Sequence, residues 1–384
     1  MRLKAVLPKL KTNTPSFDNE LPYLMALTMI TGVGNHLAKI LYTHCGSAKA
    51  VFDEKLSMLK KIPGIGTLTA KNIASFNDFQ LIENELKLIQ KYQIKPLMYF
   101  NDDYPRRLKE IDDSPLVLFV KGKASLDTPR MLAIVGTRNA SPYGKQFTDE
   151  LIEALKPYDT TIVSGLAAGT DSNVHRACLK HHIPTIGVLG HGFSTIYPGA
   201  NKKLASDMLE DGALLTEFKY HTPGAKENFP RRNRIVAAMC DAVIVAESGI
   251  KGGSMITADL ANQYNRDVFA LPGKITDTCS LGCNKLISRH QAAIVDSVSS
   301  LINQLGYDDR PKKAPGQMMQ LLLSLNADES KIANALKNGE MGIDQLFYST
   351  GIAMNQLAFI LLDLEFRGVL RNLPGKRYQL CMDM

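Results

Sequence analysis

The chain has 384 residues, of which 45% are hydrophobic and 22% charged, a balance that excludes a disordered or low-complexity protein. Its 45 Lys and Arg residues outnumber its 38 Asp and Glu residues, and the first 100 residues carry most of the excess, with 13 basic and seven acidic side chains. No apolar run approaches the ~20 residues that cross a bilayer, and the N-terminus does not resemble a signal peptide, so we expect a cytoplasmic protein without membrane contact.

Residues 1–100 are predicted to form an all-helical domain, with helices throughout 22–90. Two segments in this domain share one pattern, which is an apolar residue, a Gly-x-Gly turn and then a helix. They are 30–34 followed by 35–42, and 62–66 followed by 67–74. The pattern resembles a helix-hairpin-helix, whose second helix begins with backbone N–H groups that hold a phosphate without reading a base. Lys39 and Lys71 follow one turn later, so the two copies favour DNA contact, although a hairpin that only packs has the same pattern.

Residues 101–129 are rich in Pro and Asp and are interpreted as a segment that connects to the next domain, which is predicted to span 101–305. From residue 130 to about 300, short apolar runs alternate with helical stretches. Strands are predicted at 131–136, 161–164, 185–189, 213–216, 242–246 and 268–270. Helices are predicted near 144–155, 171–181, 200–210, 231–239 and 255–265. Strands that are apolar on both faces are typical of parallel sheets, so the pattern predicts an α/β fold with a doubly wound, Rossmann-like sheet.

Residues 306–316 are polar, contain two prolines and are predicted to form a linker. Helices are predicted beyond it at 317–337, 343–349 and 353–366, followed by two strands around a turn. This order predicts a winged-helix domain over 317–384. A helix that reads a DNA groove is usually basic or rich in amides, but the segment 352–366 has no Lys or Arg and carries Asp363 and Glu365. We therefore predict that this domain binds protein or stabilises a dimer.

Glycine-rich turns follow nearly every predicted strand, and Lys or Arg stands beside several of them. In an open parallel sheet, ligands bind at the carboxyl ends of the strands. A single mononucleotide needs one phosphate loop, whereas a polynucleotide backbone needs several along a groove. The turns therefore predict an extended surface for an anionic polymer, although glycines also make strand-to-helix turns without any ligand.

Motifs for metals and small cofactors are missing. Six cysteines are too few and too scattered for a disulfide scaffold, and the close pair Cys279 and Cys283 lacks a second pair to complete a zinc site. The glycines of 249–254 are in the wrong order for a G-x-x-x-x-G-K-[ST] loop, and no G-x-G-x-x-G follows the first predicted strand. We therefore predict no metal and no cofactor, and the absence of catalytic residues is an expectation from the family resemblance described next.

A set of motifs falls in order across residues 130–295. They are Val135-Gly-Thr-Arg138, Ser164-Gly-Leu-Ala, Gly169-Thr-Asp171, Leu189-Gly-His-Gly192, Asn228-Phe-Pro-Arg231-Arg-Asn-Arg-Ile235, Gly253-Ser-Met-Ile-Thr-Ala258 and Leu271-Pro-Gly273. Together they resemble the DNA-processing protein family DprA (Smf), whose sterile-alpha-motif-like and winged-helix appendages match the two ends of the chain. The resemblance implies a non-enzymatic protein that binds single-stranded DNA, protects it during natural transformation and loads the recombinase RecA. It also implies a homodimer through the Rossmann-like domain, with single-strand-binding protein as a further candidate partner.

The resemblance also assigns DNA-binding residues by position. Gly136, Thr137 and Arg138 would form a glycine–hydroxyl–arginine motif that contacts DNA. Further contacts are predicted from Lys202, Lys226, Arg231 and Arg234, and from Ser164, Gly165, Gly253 and Ser254 in the glycine-rich turns. The chain departs from the family pattern at Ala168, where Arg is usual, at Thr170 in place of Ile, and at Gly252 in place of Ser. The first departure would remove one of the phosphate contacts that the resemblance implies.

Two other functions stay open at this point. The sheet resembles that of nucleotide phosphoribohydrolases, in which a Pro-Gly-Gly-x-Gly-Thr loop is followed by a helical Glu. Here the matching loop is 251–257 and no Glu follows it before Arg266, so the general acid/base is absent where hydrolysis would need it. The other alternative is a scaffold for recombination proteins that does not itself bind DNA.

Overall fold

The computed structural model describes residues 20–307, 325–367, 369–373 and 375–381. Most of the predicted linker and the first part of the helix predicted at 317–337 lie outside these residues. The chain divides into two compact units. The first unit comprises the chain up to Tyr104 together with Asp112–Phe119, and the second comprises Pro105–Ile111 and the chain from Val120 onward.

Helices make up most of the described part of the first unit. They are α1 (Leu21–Met29), α2 (Asn35–Cys45), α3 (Ala48–Asp53), α4 (Leu56–Leu59), α5 (Thr67–Ala74) and α6 (Phe79–Lys91). Both Gly-x-Gly segments form turns, in which Gly32 and Gly64 have φ angles of +89° and +82° that favour glycine. A Cβ at Gly32 would lie 3.1 Å from the hydroxyl oxygen of Thr69, and a Cβ at Gly64 would lie 3.3 Å from Leu37. Each turn therefore packs on the first turn of the other hairpin's helix.

The prediction of an all-helical N-terminal domain is wrong at its end. Lys95–Met98 forms strand β1, and the Tyr99 N–H just beyond it donates to the carbonyl oxygen of Leu116 at 2.9 Å. Helix α6 already ends at Lys91, and Pro96 then disfavours a helical conformation at Lys95. The apolar pair that follows Pro96 is buried in the strand.

The segment 101–129, predicted as a connection, contains helix α7 (Arg106–Lys109) and strand β2 (Val117–Gly122). The first four residues of β2 are buried, so its apolar run belongs to the core. The side chain of Arg107 is buried as well, and its guanidinium donates to both carboxylate oxygens of Asp241 at 2.6 and 2.9 Å. Segment 101–129 therefore contributes to the folded core and is more than a connection between domains.

Seven parallel strands lie side by side in the described part of the second unit. In chain order they are β3 (Arg130–Gly136), β4 (Thr160–Ser164), β5 (Thr185–Val188), β6 (Ala213–Thr216), β7 (Ala242–Glu247), β8 (Asp267–Ala270) and β9 (Ala293–Ile294). Their spatial order is β6-β5-β4-β3-β7-β8-β9, and every neighbouring pair is parallel. The doubly wound α/β prediction is confirmed, and each of the six predicted strands ends within one residue of an observed strand. Strand β9 was not predicted because two residues are too short to show a pattern.

Helices cover both faces of this sheet. They are α8 (Pro142–Leu155), α9 (Thr170–His181), α10 (Lys202–Asp207), α11 (Asn228–Ala238), α12 (Gly253–Gln263), α13 (Leu281–Ser288) and α14 (Val298–Gln304). Successive residues of the central strands are buried, as the continuous apolar runs predict, and Leu132, Ile134 and Ile244 are completely inaccessible. The polar side chains of these strands therefore lie mostly at their ends, as Ser164, Thr216 and Glu247 do.

The described residues from 325 to 381 form three α-helices and a small antiparallel sheet around their own apolar core. In chain order the elements are α15 (Ala327–Ala335), β10 (Met341–Gly342), α16 (Ile343–Thr350), α17 (Met354–Phe366), β11 (Leu370–Leu373) and β12 (Arg377–Leu380). Strand β12 pairs with both β10 and β11, so a two-residue strand joins the predicted hairpin. Within the described ranges no single helix could span a membrane, and only α16 and α17 together, bent by 112°, reach the necessary length and apolarity.

Candidate nucleic-acid interface

A pocket of about 450 Å³ opens at the carboxyl edge of the parallel sheet. It lies where the strand order reverses, because β3 has β4 as one neighbour and the much later strand β7 as the other. Such reversal points are where open α/β sheets bind their ligands. The loops after β3 and β7, the start of α12 and one face of α11 form the wall. Its polar lining includes Thr137, Arg138, Asp171, Arg232, Lys251 and Ser254.

The loop after β3 carries Arg138 to the mouth of the pocket. A Cβ at Gly136 would lie 2.4 Å from the hydroxyl oxygen of Thr170, so only glycine permits this close approach to the start of α9. The Thr170 N–H donates to the carbonyl oxygen of Thr137 at 3.0 Å, which fixes the loop. Arg138 itself is exposed, its guanidinium carbon lies 5.9 Å from the ring centroid of Phe229, and it forms no ion pair within the described residues. It is therefore available to an anion.

Glu247, the last residue of β7, holds the far end of the same loop. Its buried carboxylate accepts hydrogen bonds from the Ser141 N–H at 2.9 Å and from the Ser141 hydroxyl at 2.5 Å. Ser141 is the N-cap of α8, so this carboxylate lies at the positive end of a helix dipole. Burial, followed by the charge of Glu247, raises the pKa of nearby Tyr143. The loop is thus fixed at both ends while Arg138 stays exposed between them.

The loop between β7 and α12 offers backbone donors. Its N-cap residue, Gly252, has no side chain to accept the N–H groups of the first helical turn. The Met255 N–H donates to the Gly252 carbonyl oxygen at 3.2 Å, whereas within the described residues the N–H groups of Gly253 and Ser254 have no partner. The helix dipole makes this end positive. The Ser254 hydroxyl donates to the Ser248 hydroxyl at 2.8 Å, and Lys251 is exposed at the rim. The start of α12 is therefore suited to a phosphate group.

The buried side chain of Arg232 forms the floor of the pocket, where it is 4% exposed. Its guanidinium donates to the Val188 carbonyl oxygen at 2.5 Å and lies so close to Gly165 that a Cβ there would be 2.0 Å from it. Burial raises the pKa of Asp171 and lowers that of Arg232, and the attraction between the two charges opposes both shifts. Asp171 also accepts the Ala167 N–H at 3.2 Å. The floor thus carries a cation whose charge Asp171 offsets.

Six of the eleven predicted contact residues line this pocket. They are Gly136, Thr137, Arg138, Gly165, Gly253 and Ser254. Lys202, Lys226 and Arg231 are exposed but lie outside the pocket lining. Arg231 lies over the ring of Phe218 at 5.3 Å, and one of its nitrogens is 4.0 Å from a carboxylate oxygen of Glu217. The predicted contact residues therefore include six that line the pocket and three exposed basic residues that lie outside its lining.

The structure gives the remaining two predicted residues internal partners. Ser164 is completely buried and donates to the carbonyl oxygen of Ile134 at 2.7 Å. The guanidinium of Arg234 is buried and pairs with Glu217 at 2.6 Å. Both side chains therefore hold neighbouring elements in place, and any direct DNA contact from them stays a prediction.

Sequence reasoning missed Arg232, Phe229 and Asn233, which α11 presents to the pocket. Asn233 additionally donates to the carbonyl oxygen of Gly253 at 3.2 Å and so connects α11 to α12. Spacing alone gave no signal, because apolar Val236 lies four residues after Arg232 and apolar Ile235 lies four residues after Arg231. Only the packing of α11 shows that Arg232 is buried while Arg231 is exposed.

Two protein-family models match this chain. The family model described as DNA recombination-mediator protein A matches residues 95–306, and the model of the DprA winged helix domain matches 317–376. The chain belongs to the DprA family. A Synechocystis protein named Smf is 32% identical over 399 aligned positions, which cover 94% of this chain and 99% of that protein. The DNA processing protein DprA of Bacillus subtilis is 43% identical over 192 positions, which cover 50% of this chain and 65% of that protein.

Solved DprA structures share the fold. The X-ray structure of DprA from Streptococcus pneumoniae has a TM-score of 0.65 and 32% identity, covering 74% of this chain and 97% of that one. A structure of Helicobacter pylori DprA that addresses its single-stranded DNA binding mode has a TM-score of 0.52 and 32% identity, covering 56% of this chain and 98% of that one. The predicted family, the Rossmann-like sheet and the winged-helix domain are therefore confirmed.

Proposed function

We propose that this DprA protein is a recombination mediator that binds single-stranded DNA and holds backbone phosphates at the pocket between β3 and β7. Its similarity to Helicobacter pylori DprA, whose structure concerns single-stranded DNA binding, supports this proposal. The proposal includes protection of DNA during natural transformation and loading of RecA. It also includes a homodimer formed through the Rossmann-like unit and contact with single-strand-binding protein.

The main support for the proposal is that several positive groups converge at the pocket. Arg138 is unpaired within the described residues, Lys251 is exposed at the rim, and the start of α12 has no side-chain cap. Beneath them lies the buried Arg232. Backbone donors and arginines of this kind bind phosphate without reading a base, so they fit DNA of any sequence.

We further propose that the protein acts by binding and not by catalysis. The titratable groups that line the pocket are two arginines, one lysine and Asp171. Burial, followed by the charge of Arg232, governs the protonation of Asp171, and its carboxylate holds the loop that follows β4. A general acid and base pair of the kind that glycosidic cleavage needs is therefore not among the lining residues. Incubation with nucleoside monophosphates should release no free base.

The Arg138→Ala variant tests DNA binding at the pocket. We expect at least a tenfold weaker affinity for a labelled single-stranded oligonucleotide, measured by fluorescence anisotropy at several salt concentrations. Loss of one phosphate contact should also reduce the salt slope of log K by about 0.7. Arg176→Ala removes an exposed arginine of α9 outside the pocket lining and serves as the matched control.

Each outcome of this experiment has a separate meaning. Equal affinities for wild type, Arg138→Ala and Arg176→Ala would place the DNA site elsewhere on the protein. Equal losses in both variants would mean that a diffuse positive field, and not the pocket, attracts the DNA. Absence of binding by the wild-type protein would contradict the proposed function and favour the scaffold.

A further inference from the structure

Two aromatic rings lie next to the pocket, beyond Arg138. The Phe229 ring, which lines the pocket, has the Arg138 guanidinium 5.9 Å from its centroid. The centroid of the Tyr197 ring lies 5.7 Å from that of Phe229, with the two planes inclined by 42°. A cation and two rings therefore follow one another away from the phosphate site.

Tyr197 is unusual because it is exposed without an evident structural need. Its side chain is 52% exposed, although a large aromatic ring gains stability from burial. Within the described residues its hydroxyl has no hydrogen-bond partner. A substantial part of the Tyr197 ring is therefore accessible to a ligand beside the pocket.

The backbone holds both rings in place. The N–H of Tyr197 donates to Nε2 of His191 at 3.2 Å, and the buried His191 ring also contacts the Gly192 carbonyl oxygen at 2.8 Å through Nδ1. The ring of Phe229 packs against Gly190, where a Cβ would lie 2.8 Å from its Cδ1 atom. The open ring is thus presented from a fixed loop, which lowers the entropy that a ligand would lose on binding.

We propose that Tyr197, continuing from Phe229, is a stacking site for a nucleobase of the bound strand and gives the protein its preference for single-stranded over duplex DNA. The inference rests on the proposed function. Phosphates are present in both forms of DNA, so the arginines and the start of α12 cannot distinguish them. Only an unpaired base can leave its stack and lay its face on an aromatic ring. The aromatic rings next to the phosphate site therefore supply the discrimination.

The test combines a protein variant with a change in the DNA. Wild type, Tyr197→Phe and Tyr197→Ala are compared on a single-stranded oligonucleotide, on an oligonucleotide of equal length made of abasic sites, and on a duplex. For the normal strand we expect Tyr197→Ala to weaken binding about tenfold, as for the loss of one stacked base, and Tyr197→Phe to restore it. For the abasic strand and the duplex, wild type and Tyr197→Ala should bind alike. Tyr348→Ala, which removes another exposed tyrosine, is the matched control.

The outcomes separate this inference from the proposed function. Equal loss of affinity for normal, abasic and duplex DNA in Tyr197→Ala, or no loss at all, would overturn the stacking site while leaving the phosphate pocket intact. Absence of binding by the wild-type protein would overturn both. If Tyr197→Ala lowers the melting temperature, Tyr197→Leu keeps the apolar volume without an aromatic face and should show the same selective loss for the normal strand.

Discussion

Gly165 lies directly against the guanidinium of Arg232, and we expect the substitution Gly165→Ala to disturb both stability and binding. The new Cβ would be 2.0 Å from Nη1, so the buried arginine must move away from the Val188 carbonyl oxygen. Overpacking of this kind costs about 1–3 kcal/mol. Urea denaturation should show that loss, and anisotropy should show weaker binding to single-stranded DNA.

Gly253→Ala is the matched control for this substitution, since Gly253 also lines the pocket. The atom nearest to its added Cβ is Nδ2 of Asn233 at 3.8 Å, an ordinary contact, so stability should be retained. If both alanine variants were equally stable and bound DNA equally well, Arg232 would have to be mobile, and its role as the fixed floor of the pocket would be wrong.

The arginines of α11 illustrate what a sequence can predict at this scale. The run from Arg231 to Arg234 is recognisably basic, and the sequence assigned its first and last members to DNA. Burial depends on which face of the helix meets the sheet, and neighbouring residues point about 100° apart. Arg231 is consequently exposed, Arg232 forms the pocket floor, and Arg234 pairs with Glu217. Composition alone could not separate these three roles.

At the scale of elements, the two hairpins of the first unit differ although their sequences match. The Lys39 ammonium donates to the Asp112 carbonyl oxygen at 2.8 Å and lies 4.1 Å from the ring centroid of Tyr99. Lys71, its counterpart in the second hairpin, is exposed. The glycine turns were predictable because their backbone demands are local. The hydrogen bond from Lys39 to the Asp112 carbonyl oxygen was not predictable, because Asp112 is 73 residues away in the sequence. Phosphate binding stays a prediction for the second hairpin.

Helix α17 of the winged-helix domain presents an exposed apolar stripe. Phe359, Leu362 and Phe366 are 75%, 51% and 83% exposed, and Asp363 and Glu365 are the charged neighbours on the same helix. A stripe without cations does not favour a phosphate backbone. We therefore expect that removing residues 316–384 leaves the affinity for single-stranded DNA unchanged, as measured by anisotropy.

A loss of tenfold or more on this truncation would contradict the prediction and assign DNA contact to the winged helix. The domain has its own apolar core, and its removal breaks the hydrogen bond from the Gly375 N–H to the Asp267 carboxylate at 3.3 Å. Phe359→Ser in the intact chain is the milder counterpart, because it changes the exposed stripe and leaves that core in place. It should likewise have no effect on DNA affinity.

At the scale of the whole molecule, the parallel sheet was the most predictable feature, because each central strand is a short apolar run that reports burial on both faces. The order of the strands was less accessible. Strand β7 pairs with β3 through residues far apart in the sequence, such as Ile134 and Ile244. The pattern of apolar and polar residues does not indicate which strands pair. The pocket forms because β3 and β7 are neighbours. The sequence could therefore predict a site at the carboxyl edge of the sheet, but not that the site lies between these two strands.

Stability of the folded chain should depend on pH through His175. Burial lowers the pKa of this side chain from 6.5 to about 3, and Nδ1 lies 2.7 Å from the Thr185 hydroxyl oxygen. Between these two pH values the unfolded chain binds more protons than the folded chain does. The free energy of unfolding should therefore fall as the pH falls through this window, by up to about 1.4 kcal/mol for each pH unit.

Urea unfolding between pH 7 and pH 4 would measure this dependence, with His175→Asn as the control. The Asn amide can still donate toward Thr185, whose own hydroxyl donates to the Ile162 carbonyl oxygen at 3.0 Å, but it does not titrate. The variant should show a flatter pH profile. Parallel profiles for the two proteins would instead assign the acid sensitivity to other groups.

The reversal of strand order has a consequence for when this protein can act. Arg138 and Lys251 are more than 100 positions apart, and both reach the pocket only because β7 is inserted beside β3. A chain still emerging from the ribosome lacks half of the proposed phosphate site until α12 has been made. Once the sheet is complete, DNA that binds only the folded protein raises its free energy of unfolding. The increase is about 2.7 kcal/mol when the DNA concentration is a hundred times the Kd. Bound single-stranded DNA would therefore protect the folded protein against unfolding.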